Sequence, residues 1–334
     1  MNVRVSIIIP CYNERATICG LLDSILLQTY PRELMEVVIS DGLSQDGTRG
    51  LIAAYQEQHG DLSLRVVDNP ARTIPAALNR AIDAAQGDVL VRLDAHSMPH
   101  PEYVARCVQA LDEERGANVG GVWEIRPGAQ TWVARSIALA AAHPLGAGDA
   151  LYRLSPKPGA VDTVPFGSFR RELIEAIGKF DESLLSNEDY EFNVRVRRSG
   201  RKVWLDPAIR SVYLARSTPV ALARQYWRYG FWKFRMLRRY PGTLRWRQAL
   251  PPLFVLSLAV LVLAGIWSAA ARYALAAELG AYVLVLAAAG LLQAIRQRAP
   301  WLAAGLPLAI AVMHLAWGCG FLWSVLSSAV KRNG

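Results

Sequence analysis

From position 207 to position 277 the chain contains no acidic residue, and from 249 to 271 it contains no charged residue at all. A stretch like the second is long enough to cross a bilayer as one helix, which takes about 20 apolar residues. Two more apolar stretches follow. One covers 279–295, bordered by Glu278. The other covers 299–330 and has no Asp, Glu, Lys or Arg. The last reads either as one long tilted helix or as a shorter span plus an interfacial turn near Pro307. Three membrane spans are therefore expected, at 249–271, 279–295 and 301–329. The overall 52% hydrophobic and 19% charged content reflects this local concentration rather than an evenly apolar chain.

The segment just before the first span, 216–248, is basic and aromatic. Arg224, Arg228, Lys233, Arg235, Arg238 and Arg239 alternate with Tyr226, Trp227, Tyr229, Phe231, Trp232 and Phe234. Cations that meet lipid phosphates and rings that sit at headgroup depth make this an interfacial segment. Single-stranded nucleic acid uses the same residue types, but the adjoining span decides for a membrane, and no nucleic-acid partner is expected. The positive-inside rule puts this block, and the domain before it, on the cytosolic side of a plasma (inner) membrane. Arg296 and Arg298 agree with three spans, whereas Lys331 and Arg332 would fall outside. No signal peptide opens the chain. The cysteines form no CxxC pair, so packed, reduced thiols are expected.

Residues 1–215 alternate short apolar runs with amphipathic stretches, the pattern of an α/β fold with a mostly parallel sheet. Strands are expected at 5–9, 36–40, 64–67 and 89–93, with helices at 16–27, 45–57 and 74–85. Further strands are expected near 119–125 and 163–169, helices at 171–177 and 189–198, and a short helix within 132–142. In such sheets ligands bind at the carboxyl ends of the strands, and three polar motifs stand there. Residues 6–14 read Ser-Ile-Ile-Ile-Pro-Cys-Tyr-Asn-Glu, residues 39–48 read Ile-Ser-Asp-Gly-Leu-Ser-Gln-Asp-Gly-Thr, and residues 87–96 read Gly-Asp-Val-Leu-Val-Arg-Leu-Asp-Ala-His. A fourth, Ser-Asn-Glu-Asp at 186–189, opens an amphipathic helix. No G-x-G-x-x-G follows the first strand, which argues against a nicotinamide dehydrogenase.

In order and spacing these motifs resemble glycosyltransferase family 2, the inverting GT-A group, over roughly residues 3 to 230, and within it the exopolysaccharide enzymes of the succinoglycan-biosynthesis type. The resemblance implies a GT-A catalytic domain (1–215), interfacial helices (216–248) and a transmembrane region (249–330). It implies transfer of a sugar from a nucleotide-sugar, a UDP-sugar first, to a lipid-linked or glycan acceptor in exopolysaccharide or envelope glycan synthesis. By the same resemblance Pro10, Tyr12 and Glu14 wall the base and ribose, and Asp41 accepts hydrogen bonds from them, as suits an acceptor-only side chain. Asp46 either joins that site or caps the next helix. Asp94 and His96 match the position that binds a divalent cation, Mn²⁺ or Mg²⁺, on the donor diphosphate. His in place of the usual Asp favours Mn²⁺-type metals.

Asp189 matches the general base that deprotonates the acceptor, with Glu188 the other candidate. Gln225, Arg228 and Tyr229 resemble a Gln-x-x-Arg-aromatic motif in which the Arg contacts the diphosphate and the Gln and ring line the acceptor. Arg228 reads equally as one more interfacial cation. Gly167 and Ser168 fall in the segment beneath the acceptor. Two other readings are a processive polysaccharide synthase and a non-catalytic nucleotide-sugar-binding membrane scaffold.

Overall fold

The structure, a computed structural model, describes residues 3–148, 150–154 and 157–330. Lys331 and Arg332, which bear on the topology argument, lie outside these. In chain order the elements are β1 (Val5–Cys11), α1 (Ile18–Leu26), β2 (Met35–Asp41), α2 (Thr48–Gln58), β3 (Ser63–Asp68), α3 (Ile74–Ala84), β4 (Val89–Arg92), β5 (Met98–Pro99), α4 (Tyr103–Asp112) and β6 (Asn118–Pro127). The chain continues through α5 (Trp132–Ala141), α6 (Pro144–Ala147), β7 (Gly159–Val161), β8 (Ser168–Arg170), α7 (Arg171–Ile177), α8 (Glu188–Arg198) and β9 (Val203–Ala215). It ends with α9 (Pro219–Arg239), α10 (Trp246–Ala264), α11 (Ala269–Arg296) and α12 (Leu302–Val330). The fold divides into two compact units, Met1–Glu124 with Ala150–Tyr213, and Ile125–Asp149 with Leu214–Gly334.

The first unit is built on one mixed sheet, in the order β3-β2-β1-β4-β8-β6-β9-β5, with β7 paired to β9. The four strands β3, β2, β1 and β4 are mutually parallel. β8 runs antiparallel to β4 and to β6. β1, β2 and β4 are buried on both faces, which is why they read as continuous apolar runs rather than as alternation, whereas β3, at the sheet edge, is partly exposed. Ile7, Ile9, Val37 and Ile39 pack with Leu21, Leu22 and Ile25 of α1 on one side. Ile8, Val38 and Leu90 pack with Leu78 and Ile82 of α3 and with Phe192 and Val196 of α8 on the other.

Differences from the expected elements have local causes. α2 starts at Thr48 rather than 45 because Asp46 accepts hydrogen bonds from the Thr48 N–H and Oγ, after which Gly47 turns through φ +95°. The strand expected at 163–169 is cut short because Phe166 and Gly167 both adopt left-handed backbone, with φ +61° and +46°. Only Ser168–Arg170 is left to pair with β4. α4 and β9 had no counterpart among the expected elements. The 13 residues of β9 mix Arg, Asp and Pro into the apolar positions, which hides the strand period.

In the second unit, α10, α11 and α12 are the three helices among the described residues that are long and apolar enough to cross a membrane. α9 lies against α12 through small residues. A Cβ at Gly230 would meet the Trp317 carbonyl at 2.1 Å, and one at Gly320 would meet the Trp227 carbonyl at 2.2 Å. Small residues that let backbones approach are a common packing device for apolar helices. Ser257 of α10 donates to Glu278 of α11 at 2.5 Å. Many large apolar side chains of α10 and α11 are exposed, Leu253, Val260, Leu263, Val283, Leu284 and Leu291 among them.

Candidate active site

The four parallel strands bring their carboxyl ends to one edge of the first unit. Register alone sets Cys11 beside Asp41 and Asp41 beside Asp68. The loops beyond β1 and β2 are stitched together. The Asn13 N–H donates to Ser44 Oγ at 2.8 Å, the Gln45 N–H to Asn13 Oδ1 at 3.0 Å and the Glu14 N–H to Thr48 Oγ at 2.9 Å. Asp46 also accepts from the Arg15 N–H at 3.1 Å, so its carboxylate is engaged in the loop and the helix start. Hydrogen bonds from Thr48 hold its pKa below the ordinary value.

Asp41 has 0% exposure. Its carboxylate accepts from Ser44 Oγ at 2.6 Å and from the Ser44 N–H at 2.9 Å, and it pairs with Arg49 Nε at 3.0 Å. Arg49 also pairs with Asp68 of β3. Tyr12, by contrast, is exposed, and its ring lies 5.7 Å from the Arg72 guanidinium. Gly42 makes room for that ring, since a Cβ there would stand 2.8 Å from Tyr12 Cδ2.

The loops after β1, β2 and β3 each hold one non-glycine residue at positive φ: Asn13, Leu43 and Arg72. Phe166 and Asn187 are two more, in the segments beside Gly167 and Glu188. Left-handed backbone costs an L-residue roughly 1–2 kcal/mol. Strain of this kind persists where surrounding structure holds a site in place.

The loop after β4 carries Asp94 and His96. His96 Nδ1 lies 3.1 Å from Glu14 Oε1, joining the β4 and β1 loops. Asp94 gives Oδ1 to Arg92, whose Nε and Nη2 both lie 3.2 Å away. Its Oδ2 carries no hydrogen bond among the described residues. Arg92 is 5% exposed, and its Nη2 also donates to Glu188 Oε1 at 3.0 Å. Burial works against the charge on Arg92, but Asp94, Glu188 and Asp189 outweigh it and raise its pKa, so it stays protonated.

α8 opens with Glu188, Asp189 and Glu191 in its first turn and carries Arg195, Arg197 and Arg198 in its last. Both ends therefore complement the helix dipole. Asn187 precedes the helix at φ +64°, and neither it nor Ser186 supplies a side-chain cap. Glu188 is buried at 5% exposure, and that burial raises its pKa while Arg92 opposes the rise. Asp189 is only half-buried.

Gly167 accepts the Arg92 N–H at 3.1 Å. Ser168 is fully buried, so its side chain faces the core and the backbone of this turn is what borders the site. Behind the turn Phe166 meets Trp123, which is stacked on Tyr213 at 4.3 Å and edged by Tyr152 at 4.9 Å. The Arg153 guanidinium lies over both Trp123 and Tyr152. Burial raises the pKa of Tyr152, with Arg153 opposing the rise and Asp189 adding to it.

The first unit thus gathers Tyr12, Glu14, Asp41, Asp94, His96, Gly167, Glu188 and Asp189 at one edge, with Pro10 buried in β1 beneath them. Gln225, Arg228 and Tyr229 lie on α9 in the second unit, where Gln225 Nε2 donates to the Tyr229 hydroxyl at 2.9 Å. Sequence reasoning passed over Arg92, although an arginine inside an otherwise apolar buried strand is a visible anomaly. It also passed over Arg49, Trp123 and Tyr152, which carry no comparable signal.

Among the described residues no group of three or more His, Cys, Asp and Glu side chains is arranged to enclose a metal. Asp94, with one carboxylate oxygen unengaged, and His96 beside it suit a cation that takes most of its ligands from a diphosphate. A self-sufficient metal cage would need more protein ligands.

Residues 6–178 match the family model described as Glycosyl transferase family 2. The chain is 32% identical over 332 residues to the succinoglycan biosynthesis protein ExoA of Rhizobium meliloti, covering 98% of this chain and 96% of that one. It is 29% identical over 249 residues to a Methanococcus voltae enzyme, dolichyl N-acetyl-alpha-D-glucosaminyl phosphate 3-beta-D-2,3-diacetamido-2,3-dideoxy-beta-D-glucuronosyltransferase, covering 72% of this chain and 76% of that one. Among solved structures it is similar to the mannosyltransferase PcManGT from Pyrobaculum calidifontis in complex with GDP-Man and Mn²⁺. The TM-score is 0.64 and the identity 25%, over 94% of this chain and 87% of that one. The chain is a glycosyltransferase of the GT-A fold and belongs to glycosyl transferase family 2.

Proposed function

We propose that this enzyme transfers a single sugar, with inversion, from a nucleotide-sugar to a lipid-linked acceptor, with Asp189 as the general base. One observation carries the reading. Asp94 and Glu188, far apart in sequence, both accept from Nη2 of the same buried guanidinium, Arg92, at the carboxyl edge of the sheet, and Asp189 follows Glu188 directly. In this reading Asp94 serves the donor side and Asp189 the acceptor side, as in-line attack requires.

The donor nucleotide lies over the β1, β2 and β3 loops, against the exposed ring of Tyr12 and the Arg72 guanidinium. A divalent cation held by Asp94 and His96 would supply charge stabilisation to the departing nucleoside diphosphate. The chain's own residues do the rest. Asp189 accepts the proton of the acceptor hydroxyl as that oxygen attacks the anomeric carbon from the face opposite the leaving group. Glu188 is a weaker candidate for the base, because it is buried and spends Oε1 on Arg92. The backbone turn at Phe166–Gly167 and the Tyr152–Arg153 group border the space the acceptor would enter.

Two observations support a lipid-linked acceptor. Three helices here are suited to a membrane, and the Methanococcus voltae relative is named for a dolichyl phosphate-linked sugar. The basic and aromatic segment 216–248 supports a cytosolic catalytic unit under the positive-inside rule. The relation to a succinoglycan biosynthesis protein supports exopolysaccharide or envelope glycan assembly as the setting.

The test is to present the purified protein in detergent with UDP-glucose, UDP-N-acetylglucosamine and GDP-mannose, each with Mn²⁺ or Mg²⁺. Nucleoside diphosphate release that needs the metal, and that rises with a membrane lipid extract as acceptor, supports the reading. A protein that neither binds nor consumes any nucleotide-sugar ends it.

A further inference from the structure

Arg92 is the last residue of β4, in a strand whose other members are Val89, Leu90 and Val91. An apolar side chain would be the ordinary occupant of so buried a position. Burying a guanidinium is costly, and Nη1 of this one has no hydrogen-bond partner among the described residues, so the pairs made by Nε and Nη2 show what the position is for. The side chain donates to Asp94 through Nε and Nη2 and to Glu188 through Nη2, and the Phe180 ring lies 6.0 Å from it. The backbone N–H of the same residue donates to the Gly167 carbonyl. One residue therefore touches three segments: the β4 loop with Asp94, the start of α8 with Glu188 and Asp189, and the strained turn at Phe166–Gly167.

We propose that Arg92 is a positioning residue that fixes the donor-side carboxylate and the base-bearing helix relative to each other. By holding Asp94 Oδ1 it turns Oδ2 outward toward the cation site. By holding Glu188 it sets the first turn of α8, and with it the direction of the Asp189 carboxylate. A planar guanidinium can do both at once through separate N–H groups in fixed geometry, which a lysine ammonium cannot reproduce. This rests on the glycosyl-transfer reading above and adds to it the part that couples its two halves.

Simple electrostatics gives the opposite expectation for metal binding. A cation 3.2 Å from a carboxylate should repel a second one, so removing it should tighten metal affinity. Positioning predicts weaker affinity, because loss of a hydrogen-bond partner behind a metal ligand typically costs 10–100-fold.

The experiment titrates Mn²⁺ into the full-length protein in detergent with saturating UDP or, separately, GDP, following free Mn²⁺ by electron paramagnetic resonance. It compares wild type with Arg92→Lys and Arg92→Met, after checking that each variant retains a cooperative melt. The expected result is a loss of Mn²⁺ affinity of about 10-fold for Arg92→Lys and up to about 100-fold for Arg92→Met. A further drop in kcat that saturating Mn²⁺ does not restore is expected in both, because Asp189 is also displaced. Should Arg92→Met fail to fold, Arg92→Lys decides alone. Unchanged or tighter Mn²⁺ binding in a folded variant overturns the proposal, whatever its kcat. A wild-type protein that takes up no Mn²⁺ with either nucleotide instead overturns the reading of Asp94 and His96 as the cation site, on which the proposal rests.

Discussion

The Arg49 guanidinium stands 3.0 Å from the fully buried carboxylate of Asp41 and reaches on to Asp68 of the neighbouring strand. The two oxygens of the Asp41 carboxylate, expected to face the nucleotide, already receive Ser44 and Arg49. Asp41→Asn keeps the shape and removes the charge. Because Arg49 is partly solvated, the cost is expected in the range of roughly 1–3 kcal/mol for a charged hydrogen bond. A melting temperature lowered by several degrees, together with weaker nucleotide binding, is the expected outcome. An unchanged melt would show that the pairing contributes nothing to stability.

Glu36 ties the opposite, amino-terminal edge of the sheet together. It accepts from Ser6 Oγ in β1 and from the backbone of Gln86 ahead of β4, and it pairs with Arg65 in β3. Burial alone would raise its pKa, but Ser6, the Gln86 N–H and Arg65 together bring it below the ordinary 4.5. A carboxyl whose folded pKa lies below its unfolded one contributes stability above the unfolded value and loses it as pH falls through the folded value. Glu36→Gln should therefore be less stable than wild type at pH 7, with the gap closing below about pH 4.5. Parallel melting curves across pH 3 to 7 check this.

Gly167 sits at φ +46°, and a Cβ there would lie 2.6 Å from Asn118 Oδ1. Gly167→Ala is expected to cost roughly 1–2 kcal/mol from backbone alone, and more if Asn118 cannot move. Sugar transfer should fall further than stability, because the turn is bonded to Arg92. Comparing the variant's melting temperature with its turnover separates the two effects.

The exposed apolar faces of α10 and α11 predict an integral membrane protein. In cell fractions it should stay with the membrane through washes in about 1 M salt, where the Debye length is only about 3 Å, and leave only with detergent. Release by salt alone would mean that the basic segment 216–248, and not the apolar helices, holds it.

The parallel half of the fold was legible because β1, β2 and β4 are apolar on both faces and run into polar motifs at Tyr12, Asp41 and Asp94; the first strand, expected at 5–9, continues through Pro10 to Cys11. The edges of α12 were legible to within a few residues; the span expected at 249–271 instead ends at Ala264 in α10, and α11 begins at Ala269, ahead of the expected 279, because Arg272 and Glu278 sit inside it and interrupt the composition signal. The antiparallel half was not. β9 gives no clean alternation, and the break at Phe166 and Gly167 comes from backbone conformation that glycine permits but does not announce. In the site, the carboxylates were visible as strand-end acids. Their partners were not, because the pairing of Arg92 with both Asp94 and Glu188 joins residues 96 positions apart. Whether Asp41 faces ligand or its own loop depends on the rotamers of Ser44 and Arg49, which no spacing encodes.

The division of labour between neighbouring acids is the centre of the account, and Asp189→Asn measured beside Glu188→Gln tests it most directly. The readouts are Mn²⁺-dependent nucleotide binding and initial rate of sugar transfer at saturating donor. Asp189→Asn should bind nucleotide like wild type and transfer at least about 100-fold more slowly, the lower range for a positioned general base. Glu188→Gln, which still accepts from Arg92, should lose about 10-fold or less. Transfer by Asp189→Asn at close to the wild-type rate, with Glu188→Gln inactive, would assign the base to the other carboxylate and contradict the account.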